Sequence, residues 1–173
     1  MGVELAARTS TTGRDPFPDL VVVDEASEPG PVYEDERVRV GVTLVDHPPL
    51  HPALAYRFDT RDRSVVLSGD TRYSENLVDL ARDADVLVHE AVHERGIAML
   101  EQQTNARSIR EHMLSCHTTP EQAGLVAHKA NVGTLVLSHL VPASGAVTDE
   151  EWASAARKHF SGEIVVARDL LVI

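Results

Sequence analysis

The chain has 173 residues, 43% of them apolar, and a net charge of −11 with histidine neutral. That length suits one domain with a real core, and the acidic balance excludes a broad basic groove for nucleic acid, though not a local basic patch. Cys116 is the only cysteine, which excludes an internal disulfide framework and any cysteine-based zinc motif.

Residues 1–14 hold no signal-type apolar stretch and no run approaches membrane-spanning length, so the expectation is a soluble, cytoplasmic protein with no membrane partner. Residues 1–31 form a loosely patterned N-terminal segment of Thr, Ser, Pro and Gly, interrupted by Leu20-Val21-Val22-Val23, which reads as one edge strand. Patterning becomes firm over residues 32–173. Val38, Val40 and Val42 alternate with polar neighbours and predict a strand with those valines facing inward, stopped by the prolines after Asp46-His47. Residues 53–59 give a second strand. The polar turn Arg61-Asp62-Arg63 then makes a hairpin with Ser64 to Ser68.

After Asp70 the period changes. Leu77, Leu80, Ala81 and Ala84 fall on one helical stripe behind a Ser74 cap, and Val86 to Val88 form the next strand. Residues 93–115 are helical in composition but poorly patterned. Thr119-Pro120-Glu121-Gln122 is a capping box with proline in the first turn, opening a helix whose apolar face is Ala123, Val126, Ala127 and Ala130. Strand Thr134 to Leu137 follows. A second capping box at Thr148 to Glu151 opens a helix carrying Trp152, Ala155 and Ala156. Glu163 to Val166 and Leu170 to Ile173 read as a closing hairpin. Hairpins followed by alternating helix and strand make a layered α/β domain.

Three apolar strands end on residues able to bind metal or move protons: Ser64 to Ser68 on Asp70, Val86 to Val88 on His89-Glu90, and Thr134 to Leu137 on Ser138-His139. Ligands of open α/β sheets bind just outside such carboxyl ends. Each residue also has an ordinary explanation. Asp70 can cap the following helix, His139 can be a structural histidine after a strand, and His117 can sit on a surface loop. Adjacent strand residues face opposite ways, so at most one of His89 and Glu90 reaches a site. A helix dipole ahead of His117 favours neutral imidazole and draws an anionic group. His51, His93, His112, His128 and His159 have bland settings. Cys116 beside His117 is set aside as a nucleophile pair, because catalytic partners generally meet in space and not in sequence.

Taken in order, Val45-Asp46-His47-Pro48-Pro49, Ala55-Tyr56-Arg57-Phe58, Ser68-Gly69-Asp70-Thr71, Asp85 to Ala91, His117-Thr118-Thr119 and Leu137-Ser138-His139 resemble the metallo-β-lactamase superfamily, in its ribonuclease Z and arylsulfatase-like branch. The resemblance implies the C-terminal half of an αββα sandwich, with a mixed sheet and flanking helices. It implies a dinuclear Zn2+ site in which His47 is a terminal ligand of one zinc, Asp70 bridges two, and His139 binds the other. His117 would assist the leaving group and Glu90 would orient it. The superfamily's His-x-His-x-Asp-His signature is absent, and Val92 stands where threonine is usual. His47 and Asp70 are 23 positions apart, which leaves no room for the arm that ribonuclease Z enzymes use to grip tRNA.

Two protein ligands per metal, one of them shared, fall short of the usual three plus water. Weak metal binding and little hydrolysis by this chain alone are therefore expected. The substrate expected is a small phosphodiester or ester in preference to tRNA. The first half would come from a missing N-terminal portion, a partner chain or a homodimer. The other reading is a non-catalytic α/β module of the same descent that binds a ligand or partner.

Overall fold

The computed structural model describes residues 23–104, 108–143 and 145–173. Within them one seven-stranded sheet runs in sequence order: β1 (Gly30–Glu34), β2 (Val38–His47), β3 (Leu50–Thr60), β4 (Ser64–Leu67), β5 (Val86–Val92), β6 (Thr134–Val141) and β7 (Glu163–Val166). The first four strands pair antiparallel and the last four parallel. This follows the connections. Short turns can only reverse the chain, whereas parallel neighbours need a crossover of a dozen or more residues. The crossovers carry α1 (Glu75–Leu80), then α2 (Glu94–Thr104), α3 (Ile109–Cys116) and α4 (Pro120–Ala130), and finally α5 (Asp149–Ala156).

Three helix starts follow the sequence signals. Ser74 accepts a bond from the Leu77 amide, and Thr119 and Thr148 complete capping boxes with Gln122 and Glu151. The Glu151 carboxyl, which also meets Arg95, is held down at about 2. On one face of the sheet Val45, Ala55, Val66, Leu87, Leu135 and Leu137 pack against Leu77, Val126, Ala127, Trp152 and Ala156 of α1, α4 and α5. Each fully buried leucine there is worth about 2–3 kcal/mol. Gly124 is the tightest helix contact, since a Cβ would strike the Ala156 backbone of α5.

The alternate residues make a second apolar surface outside that core. Val38, Val40 and Val42 pair across to Thr60, Phe58 and Tyr56, and Tyr56 pairs with Leu67, which pairs with Val88. Val40 and Val42 are buried, Tyr56, Phe58, Val65 and Val88 partly so, and Leu67 is exposed. The valines expected to face inward thus lie on the face opposite the helices. One sheet with α1, α4 and α5 on one face is half of a two-sheet sandwich.

Two other expectations change. Leu170 to Ile173 form no strand, and β7 pairs parallel with β6. Helix α5 brings the chain back to the sheet from the far end, so β7 finds a distant neighbour, and Leu171 closes a turn onto the Arg168 carbonyl. The strand expected at residue 53 begins at Leu50, because β2 and β3 pair through His47 and Leu50 around the two prolines. The edge strand read at Leu20 to Val23 lies outside the described residues except for Val23, which is exposed. Among the described residues no helix is long and apolar enough to cross a membrane.

Candidate metal centre

The carboxyl ends of β2, β4, β5 and β6 converge. His47 ends β2, and the loop after β4 is stitched to that end. The Asp46 amide donates to Thr71 Oγ1 at 3.2 Å, and the Arg72 amide donates to the Asp46 carbonyl at 2.9 Å. Between them sits Asp70, set by Gly69 at φ +61°, where a Cβ would lie 2.6 Å from the Leu54 carbonyl oxygen. Glycine is required here by β3 backbone and by a left-handed φ. Asp70 is not a helix cap, since Ser74 fills that place.

His139 reaches Asp70 through a bulge. Ser138 pairs with Glu90 and Leu140 with Ala91, so His139 is the extra residue on β6, with φ +45°. A bulge re-aims a side chain and a left-handed φ at a non-glycine stores strain, both common beside functional sites. His139 Nε2 lies 3.5 Å from Asp70 Oδ2, and both side chains are about half exposed.

His89 and Glu90 lie inside β5, which runs on to Val92, and only Glu90 points into this region, with its side chain 3% exposed. Glu90 Oε1 accepts from the Thr71 amide at 3.1 Å, the Thr118 amide at 3.3 Å and His117 Nδ1 at 3.0 Å. One carboxylate therefore pins the Asp70 loop and the His117 segment together. Thr118 Oγ1 adds a bond to the Thr71 carbonyl. His89 is fully buried. Its Nδ1 meets the Glu90 carbonyl at 2.8 Å, its Nε2 has no partner among the described residues, and burial pushes its pKa down.

His117 follows α3 and precedes the Thr119 cap. The expected neutral imidazole is opposed in the structure, because the Glu90 hydrogen bond pushes the His117 pKa up against the effect of burial. That partner comes from a strand 27 residues away, which local helix-dipole reasoning does not see. The His47 ring stands edge-on to His117, with centroids 4.9 Å apart at 80°. Both His47 nitrogens are shielded from solvent and neither has a hydrogen-bond partner among the described residues.

Cys116 completes a group that the sequence reading missed. One donor atom each from His47, Cys116 and His117 lies within 4.8 Å of the others, and among the described residues no other set of three comes so close. Burial, then the charges of Glu90 and Asp70, push the Cys116 thiol up. The adjacency of Cys116 and His117 was the available signal. A helix's last residue and its cap can present donors to one point even though neighbours seldom make a nucleophile pair.

Imidazole, carboxylate and thiol are metal donors, and an imidazole with two shielded, unpaired nitrogens is costly unless something binds it. The residues present fit a divalent metal on that ground. His47 and His117 sit in the sheltered part of the site, and Asp70 and His139 at its open edge.

No family model matches the chain. It is 36% identical over 141 residues to ribonuclease Z of Mycobacterium tuberculosis strain H37Rv, which covers 82% of this chain and 50% of that protein. Ribonuclease Z of Mycobacterium avium strain 104 is 36% identical over 153 residues, covering 88% of this chain and 52% of that protein. The chain spans about half the length of these curated relatives. Among solved structures, a metallo-β-lactamase fold protein from Bacillus subtilis superposes with a TM-score of 0.62 at 19% identity, over 85% of this chain and 52% of that one. The short form of human tRNase Z gives 0.55 at 21% identity, over 87% and 47%.

Proposed function

This chain belongs to the metallo-β-lactamase superfamily and resembles ribonuclease Z within it, and from that premise we propose that it supplies half of a zinc-dependent dinuclear hydrolase site. His47 and His139 would each hold a metal and Asp70 would serve both, and all these residues fall within 32–173, outside the N-terminal segment 1–31. Bound metal supplies an activated water and polarises the scissile phosphoryl or acyl group. His117, whose Nδ1 is hydrogen-bonded to Glu90, would pass a proton to the leaving oxygen. The observation that carries this reading is the bulge that turns His139 onto Asp70 while Glu90 holds His117 beside His47.

The sequence contains no His-x-His-x-Asp-His run, so this chain would offer each metal two ligands. The remaining ligands and the general base come from a complementary half, another segment or another chain. The net charge of −11 and the short span from His47 to Asp70 favour a small phosphodiester or ester over tRNA. The single cysteine suits a reducing cytoplasm.

The test is complementation. The chain is mixed with the part of the Mycobacterium avium ribonuclease Z that it does not match, and bis(p-nitrophenyl) phosphate hydrolysis is followed with added zinc. Hydrolysis is expected only in the mixture, and His117→Ala should lower kcat by about 100- to 10,000-fold. A reconstituted complex that forms but stays inactive would instead support the non-catalytic binding module, which the missing signature also favours.

A further inference from the structure

We propose that Arg95 is a positioning residue for His139, acting with Gly96 and the acidic first turn of α5 as a clamp on the strand end beyond the β6 bulge. That role rests on the metal-ligand reading of His139.

Strain at the bulge calls for such a hold. His139 is the extra residue there and sits at φ +45°, and a non-glycine residue keeps that conformation only where its surroundings over-determine it. Before the bulge, Leu137 is fixed from both sides, since it pairs with His89 of β5 and its carbonyl accepts the Ala167 amide at 2.8 Å. Beyond the bulge, Leu140 and Val141 pair with Ala91 and Val92, and β6 ends. The turn from β5 into α2 grips that end. The His93 amide donates to the Val141 carbonyl at 2.8 Å. Gly96 packs so closely that a Cβ would lie 2.5 Å from Pro142 Cδ and 2.6 Å from the Val141 carbonyl oxygen.

Arg95 reaches further along the chain. Its Nη1 donates to the Ala146 carbonyl at 2.6 Å and its Nη2 to Glu151 Oε1 at 2.6 Å. The planar guanidinium fork can serve a carbonyl and a carboxylate at once, so it ties the segment after Pro142 to α5. Glu151 is itself fixed by the Thr148 amide and hydroxyl in the helix cap. His93 adds an edge-on contact to the buried Trp152 ring, with centroids 5.2 Å apart at 71°. The same turn of α5 holds a second arginine, because Arg168, from the segment after β7, donates to Asp149 at 2.5 Å. Ser138, His139, Leu140, Ala143, Ala167 and Arg168 line a cavity of about 510 Å³, and an arginine anchors each of its sides to α5. Exposed ion pairs add little stability, and Arg95 is half exposed. What the clamp fixes is the place of the His139 ring.

Proton–carbon NMR of the histidine rings in the metal-free full chain tests the clamp, with the His139 signal assigned by its loss in His139→Ala. Arg95→Ala should shift that signal. Gly96→Ala should shift it too, through the separate contact with Val141 and Pro142. Arg110→Ala is the control, because it removes the ion pairs of α3 with Glu94 and Glu101 of α2 and leaves the Ala146 and Glu151 contacts in place. There the His139 signal should not move. Both arginine variants should melt within a few degrees of the unmutated chain, so a shift in one alone is not an effect of stability. Zinc affinity, read at the same ring, should fall by about 2- to 30-fold in Arg95→Ala. An unmoved His139 signal in Arg95→Ala, or an equal shift in Arg110→Ala, would overturn the clamp. If zinc leaves the ring untouched even in the unmutated chain, it is the metal-ligand reading that fails, and the metal-free shifts still decide whether Arg95 places the ring.

Discussion

Glu90 is the residue on which the site's geometry depends, because a single buried oxygen accepts two backbone amides and an imidazole from two separate segments. Removing a buried acceptor leaves its donors unpaired, and bonds to a charged group are worth about 1.5–3 kcal/mol each before relaxation. Water entering the gap will recover part of that. Glu90→Ala should therefore destabilise the chain by about 3 kcal/mol, read as a lower urea midpoint at unchanged slope. A loss below about 0.5 kcal/mol would show that the three contacts are not worth their geometry. Beside it, His89 predicts a pH effect. Its folded pKa is depressed by burial below the ordinary 6.5, so the unfolded chain binds more protons and the neutral ring's contribution is present above about pH 6.5. Stability should fall as pH drops through that value, since a proton on Nε2 would be buried without a partner. Thermal unfolding of His89→Leu between pH 7.5 and 5 should lack that part of the decline. An unchanged pH slope would refute the assignment.

At the scale of elements, the ends of strands decide where chemistry is presented, and these were only partly legible. The caps at Ser74, Thr119 and Thr148 are local side-chain bonds to nearby amides, so spacing alone revealed them. Glu90 meets His117 whereas the His89 ring turns to the Glu90 carbonyl, and alternation along β5 is the local rule that separates them. The bulge at His139 was not legible. It arises from the register between β5 and β6, partners more than forty residues apart, and nothing in Leu137-Ser138-His139 marks it. The parallel placing of β7 was hidden for the same reason. Gly69 was hidden as well, because the neighbour that demands a glycine is β3 backbone, brought there by the fold and not by the local sequence. A Cβ would be strained at φ +61° and would press on the Leu54 carbonyl. Gly69→Ala should cost about 2–4 kcal/mol and move Asp70 away from His139. The displacement should appear as a chemical-shift change at the His139 ring that Gly145→Ala does not produce. Gly145 also has a positive φ, but there is open space around it.

For the whole molecule, the informative quantity is what the sheet does with its two faces. Alternation made both faces apolar in β2 to β6, and such a sheet needs a layer on each side. Helices α1, α4 and α5 cover one. The other carries Tyr56, Phe58, Val65, Leu67 and Val88 in register. If this second surface seats a complementary layer, one charge at its most exposed member should weaken assembly without disturbing the chain itself. Leu67 is 39% exposed and lies outside the helix-covered core, so Leu67→Glu should leave the melting temperature within a few degrees, about 1 kcal/mol or less. A charge desolvated without a partner at an interface costs several kcal/mol, so the same substitution should weaken association with the unmatched portion of the Mycobacterium avium relative at least about tenfold. Sedimentation velocity of the mixture reads that directly. Equal association of both chains would place the complementary layer elsewhere, and hydrolysis in the mixture would then have to arise from contacts at the strand ends alone.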